Sequence, residues 1–481
     1  MELTYRGSGK AVYNDKEYDC DLYLNDDEGG ILINLIIKKP IAGYLSLPLE
    51  MDSLHGELST GYRFTLVNCS REKMSNNISE GRSIYTYSAK FMLKGVGEKD
   101  GREQYFYKMD FSIPNIMMWG GVSGYKIEDY GLFLTNDDQK RKMYSDDKFT
   151  INYWVGNSLL PVVQSDLLSD KIVLKQIGNI EINFNTPVPV KEFVNVFDKT
   201  KRLMELSTLR KIHPEEVTGW SADVYDMYDS KKIERPVSVL YYDSKKQKEI
   251  ENNKEFSRSW KWLSLTELLD NNSFACYFFK YDILEPVIEL YIEIIHSNES
   301  SSRRVFLNLV QALETYHSRI VTNNLTEFRN RIDTVILKNR PEEWKEEDRK
   351  FLLANSRKFI TLESRLADLL LSEFQYRFDT GNIKYYDFPN VIALTRNYYI
   401  HYDESIKNKG RVLSEEELSI YNRCLFGVLE YYLMKEIGFS DTNVIRKKLK
   451  ERWGEISDTL SIIEASKKRK NDADKSSSTN S

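Results

Sequence analysis

The sequence predicts an α+β protein of more than one domain, a β-rich N-terminal region followed by an all-helical bundle. Three observations carry that expectation. Up to about residue 270 the apolar residues fall in short β-branched and aromatic runs cut by turn material. From about Leu284 they recur at alternating steps of three and four. The 481 residues also exceed a single core, since a prior of about 150 residues per domain suggests two to four of them.

In the first part, ILINLIIKK, YRFTLVNC, IYTYSAKFMLKG, YFYKMDFSI, KFTINYWVG and KIVLKQIGNIEINF are rich in residues that fit a pleated surface. NDDEGG, VGEKDG and TNDDQ separate them and supply the reversals of antiparallel sheets. VKEFVNVFDKTKRLMELS, near residues 190 to 207, breaks the pattern with helical spacing. The region 1–272 therefore reads as one large β-rich domain or as two smaller ones.

In the second part, RRVFLNLVQALETYHSRIV sets Phe306, Leu309, Leu313, Tyr316 and Ile320 on one helical stripe. LSEEELSIYNRCLFGVLEYYLMKEIG does the same with Leu418, Tyr421, Leu425, Val428 and Tyr432. The ends of this helix are legible: Ser414 and Glu417 suit a capping box, Leu413 and Leu418 a hydrophobic staple, and Gly438 the C-terminal stop. TLESRLADLLLSEF and PNVIALTRNYYIHY lie between the two stripes and DTNVIRKKLKERWGEI follows, so residues 273–465 are expected to form a bundle with short loops. The tail 466–481, SKKRKNDADKSSSTNS, is polar and expected to be disordered.

Composition narrows the function classes. Apolar residues at 41% with 29% charged and a net charge of -5 describe an ordered, soluble chain without the basic surplus of a general nucleic-acid binder. Any RNA contact must then use a local cationic patch. Cys20, Cys69, Cys276 and Cys424 lie far apart, which suggests neither zinc nor disulfides and favours a cytoplasmic setting. MELTYRGSGK lacks the apolar stretch of a signal peptide, and the most apolar run, FACYFFKYDILEPVIELYIEII, is interrupted by Lys280, Asp282, Glu285, Pro286 and Glu289, so no membrane span is expected. MMWGGVSGY lacks the Lys-Ser or Lys-Thr of a phosphate-cradling loop, no GxSxG occurs, and His55, His213 and His296 stand without metal-ligand partners. No cofactor is expected.

The sharpest chemical element is RNYYIH, residues 396–401. Pro389 suits a first helical turn, after which Val391, Leu394 and Tyr398 share one side. At about 100° per residue Asn397 and His401 lie one turn and about 40° apart, so Asn397 can steady the imidazole. Arg396 lies about 140° from His401 and meets it at one ligand only if the helix loosens or the guanidinium reaches around. Arginine offers a permanent cation with a fork for phosphate oxygens, and histidine moves protons near neutrality. Together they suit RNA phosphodiester cleavage without metal: a base takes the 2′-hydroxyl proton, the oxygen attacks phosphorus, and the cation stabilises the developing charge. A helix C-terminus favours a cation, which suits His401 to the acid role. One motif supplies one histidine where an acid and a base are wanted, so a symmetric dimer presenting two copies is the economical solution.

Arg, a polar residue, three more and His, near the end of the third main helix of a small bundle, resembles the signature of the HEPN superfamily of metal-independent ribonucleases. The β-rich front half, joined through FACYFFKYDILEPVIELYIEII and LNLVQALETYHSR, further resembles the ApeA-type HEPN proteins of bacterial anti-phage defence. The resemblance implies an endoribonuclease in the C-terminal bundle, with Arg396 and His401 as the catalytic pair and Asn397 at the supporting polar position. It implies a homodimer through that bundle, and an N-terminal region that senses infection, through a phage-encoded trigger, or restrains the nuclease. Structured transfer RNA is the substrate that family analogy suggests. HEPN sites often include an acidic residue from an earlier helix, which Glu314 is placed to supply.

Other residues have both a functional and a packing reading. Glu314 and His317, three residues apart on one helical side, can line a common cleft, His317 then touching RNA; the alternative is a solvated pair. Tyr399 and Tyr402 can stack on unpaired bases, or serve the core or a dimer contact. Trp260 and Trp262 alternate as on a strand face, for sheet packing or as a sugar or nucleotide platform. A different class also stays open: a non-catalytic dimerisation scaffold whose Arg396 and His401 pack or bind nucleotide, carrying a β-rich module for a protein or a glycan.

Overall fold

A computed structural model describes residues 5–25, 30–38, 47–77, 81–96, 104–128, 131–134, 140–158, 175–228, 231–241, 262–297, 301–321, 345–348, 350, 361–370, 374, 383 and 385–453. Trp260 and the tail 466–481 lie outside the described residues. The chain groups into two compact units, residues 1–204 with 212–266 and residues 205–211 with 267–481. The first is β-rich and the second helical, the mixed α+β class expected from the sequence. Among the described residues no helix is long and apolar enough to cross a membrane.

The β-rich unit begins with β1 (Tyr5–Tyr13), β2 (Lys16–Asn25), β3 (Gly30–Lys38), β4 (Glu50–Leu58), β5 (Arg63–Asn77) and β6 (Arg82–Lys94). Asn14 and Asp15 turn β1 into β2 with φ of 48° and 58°, the geometry that matches the twist of a two-residue hairpin. The order β6-β3-β2-β1-β4-β5 closes on itself because β5 also pairs with β6, making an antiparallel barrel. Alternation fills its interior with Leu22, Ile33, Leu35, Leu54, Phe64 and Leu66, all fully buried. Gly9 lets β1 close onto β4, for a Cβ there would stand 2.2 Å from the Glu57 carbonyl oxygen.

β7 (Tyr105–Ile113), β10 (Arg141–Ser145), β11 (Phe149–Ser158), β12 (Lys175–Pro189), β13 (Glu216–Trp220) and β16 (Val237–Tyr241) extend the barrel sideways in the order β10-β11-β12-β7-β13-β16. β6 is the shared strand: residues 82–89 pair with β3, and residues 91–93 pair with β16. β8 (Tyr125–Glu128) with β9 (Gly131–Leu134), and β14 (Tyr225–Tyr228) with β15 (Lys231–Glu234), form separate hairpins. Helix α1 (Val190–Thr208) covers one face of this second sheet, where Phe197 stacks on Phe111 at 4.0 Å and Phe193 meets Phe184 at 4.7 Å. The alternate residues form a buried polar cluster. Lys108 Nζ lies 3.6 Å from Asp110 and 3.0 Å from Glu181, and Asn152 and Asn183 donate to the Glu181 carboxylate.

The helical unit comprises α2 (Leu265–Asp270), α3 (Ser273–His296), α4 (Ser302–Ile320), α5 (Leu362–Leu369), α6 (Phe388–His401), α7 (Glu415–Glu436) and α8 (Thr442–Trp453). Helical structure therefore starts some twenty residues before Leu284; the aromatic content of FACYFFKYD masks the helical spacing of its buried Phe274 and Tyr277. Trp262 is buried in a bend ahead of α2 and is not on a strand. On α4 the expected stripe is buried at Phe306, Leu309, Leu313 and Tyr316.

The ends of α7 match the sequence reading. Ser414 and Glu417 form a complete capping box, and both Leu413 and Leu418 are buried. At the other end Gly438 has φ of 102°, its N–H donates to Lys435 O, and Phe439 N–H donates to Met434 O, the paired bonds of a Schellman stop. Between these ends α7 is buried nearly all round, well beyond one stripe. It therefore carries polar anchors in the core. Glu430, 1% exposed, accepts from Tyr291 (2.6 Å), Arg452 (2.9 Å) and Trp453 (2.7 Å), tying α3, α7 and α8 together. Glu436 accepts from Tyr316 at 2.8 Å and Lys280 at 2.7 Å.

Candidate active site

α6 is held on the bundle by a face the sequence did not single out. Its buried residues are Phe388, Pro389, Val391, Ile392, Ala393 and Thr395, while Leu394 and Tyr398 are half-buried. Thr395 is fully buried because its hydroxyl is satisfied twice, donating to Val391 O at 2.6 Å and accepting from Leu413 N at 3.0 Å. One turn on, Tyr399 Oη donates to Leu413 O at 3.0 Å. Both backbone polar groups of Leu413 are thus gripped by α6 just ahead of α7. The core seam runs through Phe388, Ile392, Thr395 and Tyr399, a quarter-turn from the expected line of Val391, Leu394 and Tyr398.

That rotation sets Arg396 beside the seam and His401 away from it. Arg396 is 34% exposed at its side chain; Nη1 donates to Asn397 Oδ1 at 3.2 Å and Nη2 stands 4.0 Å from Glu314 Oε2 on α4. His401 is exposed and is the last residue of α6. The helix does not loosen before it, and among the described residues no hydrogen bond joins it to Arg396 or Asn397. Asn397 therefore engages the guanidinium, where an amide oxygen meets a charged donor, rather than the imidazole.

The chain leaves α6 sharply. Tyr402 adopts φ 52° and ψ 31°, and its N–H donates to Tyr398 O at 2.6 Å. A left-handed conformation costs a non-glycine residue about 1 kcal/mol or more. Asp403 then caps a short turn, Glu404–Ile406. Hydrogen bonds from the Ser405 hydroxyl and amide hold the Asp403 carboxyl below its ordinary value, with Lys409 and His401 adding to the effect. Tyr398 Oη donates to Glu404 at 3.0 Å, and Lys407 Nζ lies over the Tyr398 ring at 4.5 Å.

The remaining candidates separate. Glu314 is half-buried and faces Arg396, but His317, one turn on, is 3% exposed with Nε2 2.8 Å from Asp368 Oδ2. His317 is thus enclosed within the bundle next to Asp368 and does not line an open cleft with Glu314. Tyr402 is 54% exposed, whereas Tyr399 is half-buried and burial pushes its phenol up. Sequence reasoning missed two residues here. Thr395 was passed over because its polar type hides a core role, and Arg303, at the start of α4, sits 99 residues from the tyrosine it contacts with no local signal.

Comparison with known proteins matches both halves of the chain. The description "ApeA N-terminal domain 1" covers residues 8–273, more than half of the sequence, and "Apea-like HEPN" covers residues 307–443, which include α4 from residue 307 onward and the whole of α6 and α7. No curated protein and no solved structure matches the chain. With a β-rich front half and a HEPN bundle both matched, the chain belongs to the ApeA family of HEPN-type defence proteins.

Proposed function

We propose that this protein is a metal-independent endoribonuclease of anti-phage defence that cleaves RNA through a composite site shared by two copies of α6. The observation that carries this is the placement of Arg396 and His401: both reach the surface at the end of one helix, yet they diverge within the subunit. A single chain thus presents a cation and a proton carrier without joining them. Two chains related by a twofold axis bring the cation of one to the imidazole of the other. HEPN domains typically dimerise and act on RNA, which supports the reading.

In this reading Arg396 holds the scissile phosphate and stabilises charge developing on its oxygens, while Asn397 and Glu314 orient the guanidinium. One His401 removes the 2′-hydroxyl proton and its counterpart protonates the leaving 5′-oxygen, giving a cyclic phosphate and a free hydroxyl. Tyr402, and Tyr399 beneath it, offer aromatic surface to unpaired bases, as an anticodon loop of transfer RNA supplies. The β-rich unit supplies the sensing or restraint, answering to a phage-encoded trigger.

The test is a gel of total RNA from cells expressing the parent or His401→Ala, with and without phage. Cleavage by the parent alone is expected. Equal cleavage by both chains removes His401 from the mechanism. A parent that leaves RNA intact even during infection, while still capturing a protein or glycan, favours the scaffold.

A further inference from the structure

The residue after His401 is in an expensive conformation, and a side chain from another helix holds it there. Tyr402 has a left-handed backbone, which L residues other than Asn and Asp rarely take without support. Arg303 Nη1, from the first turn of α4, donates to Tyr402 Oη. The same guanidinium lies 5.4 Å from the Tyr399 ring centroid and 5.7 Å from that of Tyr402. Its other terminal nitrogen donates to Glu415 at 2.6 Å, in the first turn of α7. Tyr399 is itself tied to Leu413 O. Three helices therefore converge on the peptide that ends α6.

We propose that Arg303 is a positioning residue for His401: by clamping Tyr402 in the left-handed conformation it terminates α6 at His401 and fixes the direction in which the imidazole leaves the helix. The alternative, that Arg303 binds RNA phosphate directly, fits the geometry less well. Each terminal nitrogen already donates to one partner, and a phosphate approaching their remaining N–H groups meets the neighbouring Glu415 carboxylate. The proposal rests on the nuclease reading for its effect on activity but not for its effect on the helix end.

The experiment is a double-mutant comparison on the full chain, using Arg303→Ala, Tyr402→Gly and the two together, with Arg303→Lys as a second variant that keeps the charge and loses the fork. Glycine takes the left-handed conformation unaided, so in the Tyr402→Gly background the clamp has nothing to hold. Arg303→Ala alone is expected to lower kcat on the order of tenfold with KM within about threefold, through lost positioning. It should also speed amide exchange over residues 398–402 and shift the His401 ring resonances. In the Tyr402→Gly background the same change should add no further loss and no further exchange. A raised KM with unchanged kcat assigns Arg303 to RNA contact and overturns the proposal; so does an equal loss in both backgrounds. If the parent cleaves no RNA the nuclease reading fails by itself, and the exchange and ring resonances decide. Unchanged values in Arg303→Ala and Arg303→Lys then reject the clamp.

Discussion

Glu314 on α4 and Arg396 on α6 face one another with 4.0 Å between Oε2 and Nη2, each side chain a little over one-third exposed. An ion pair this open and this long contributes at most about 1 kcal/mol to stability. Its value is directional, because it draws the guanidinium toward α4.

Glu314→Gln should therefore leave the melting temperature within a few degrees of the parent while lowering RNA cleavage by roughly tenfold. Thermal unfolding and single-turnover cleavage read the two effects separately. A large loss of stability with unchanged cleavage would reverse the assignment.

A composite site makes a stricter demand. Arg396→Ala and His401→Ala should each abolish cleavage as pure dimers, since each lacks one half of the pair in both copies. Mixed after unfolding and reassembly, the two variants should regain a small part of the activity, because a hybrid pairs one intact cation with one intact imidazole while water takes over the proton transfer of the missing second imidazole. Mixtures as inert as either parent variant would show that the pair acts within one chain or not at all.

The β-rich unit should carry an unusual pH signature. Burial pushes the Asp110 carboxyl up from 3.8 to about 6, Lys108 opposing and Glu181 reinforcing. Glu181 is pulled down from 4.5 to about 2, because bonds from Lys140, Asn183 and Lys108 outweigh its burial. The Asp110 contribution to stability is complete below 3.8 and is lost as pH rises through about 6, whereas that of Glu181 is complete above 4.5 and is lost as pH falls through about 2. Between about pH 4.5 and pH 7 the Asp110 contribution falls while that of Glu181 stays complete, so this pair should weaken the unit with rising pH, by at most about 2 kcal/mol. Urea unfolding across that window should flatten in Asp110→Asn, and parallel curves for the two chains would rule this out.

In the bundle, Glu430→Gln should cost about 2 to 3 kcal/mol, because the half-buried guanidinium of Arg452 would lose the charge of the fully buried Glu430. Calorimetry on the full chain would register this as a lowered transition for the helical unit. An unchanged transition would mean that Arg452 finds another partner.

What could be read from the sequence was local. The Ser414 and Glu417 box and the Gly438 stop depend on residues within a turn of one another, and their side-chain types state the geometry. That Arg396 and His401 share one helix was legible for the same reason. Closure of the barrel was not, because the β5–β6 ladder that completes it competes with every other strand pairing of similar pattern. The seam of α6 was misplaced by one residue because a buried threonine counts as polar until its two hydrogen bonds are known. His317 looked available because nothing near it in sequence announces Asp368, 51 residues away.

Closing the barrel also decides how the protein meets its neighbours in a crowded cell. Of the twelve strands joined in one sheet among the described residues, β10 stands at the open end of the order, since the other end folds back onto β6. β10 reads RKMYS, carries Lys140 just ahead of it, and shifts register between Lys142 and Tyr144. Basic side chains and a bulge on a terminal strand both discourage a stray strand from adding on. Among the described residues the large sheet thus ends in one short, charged border, which guards it against self-templated aggregation.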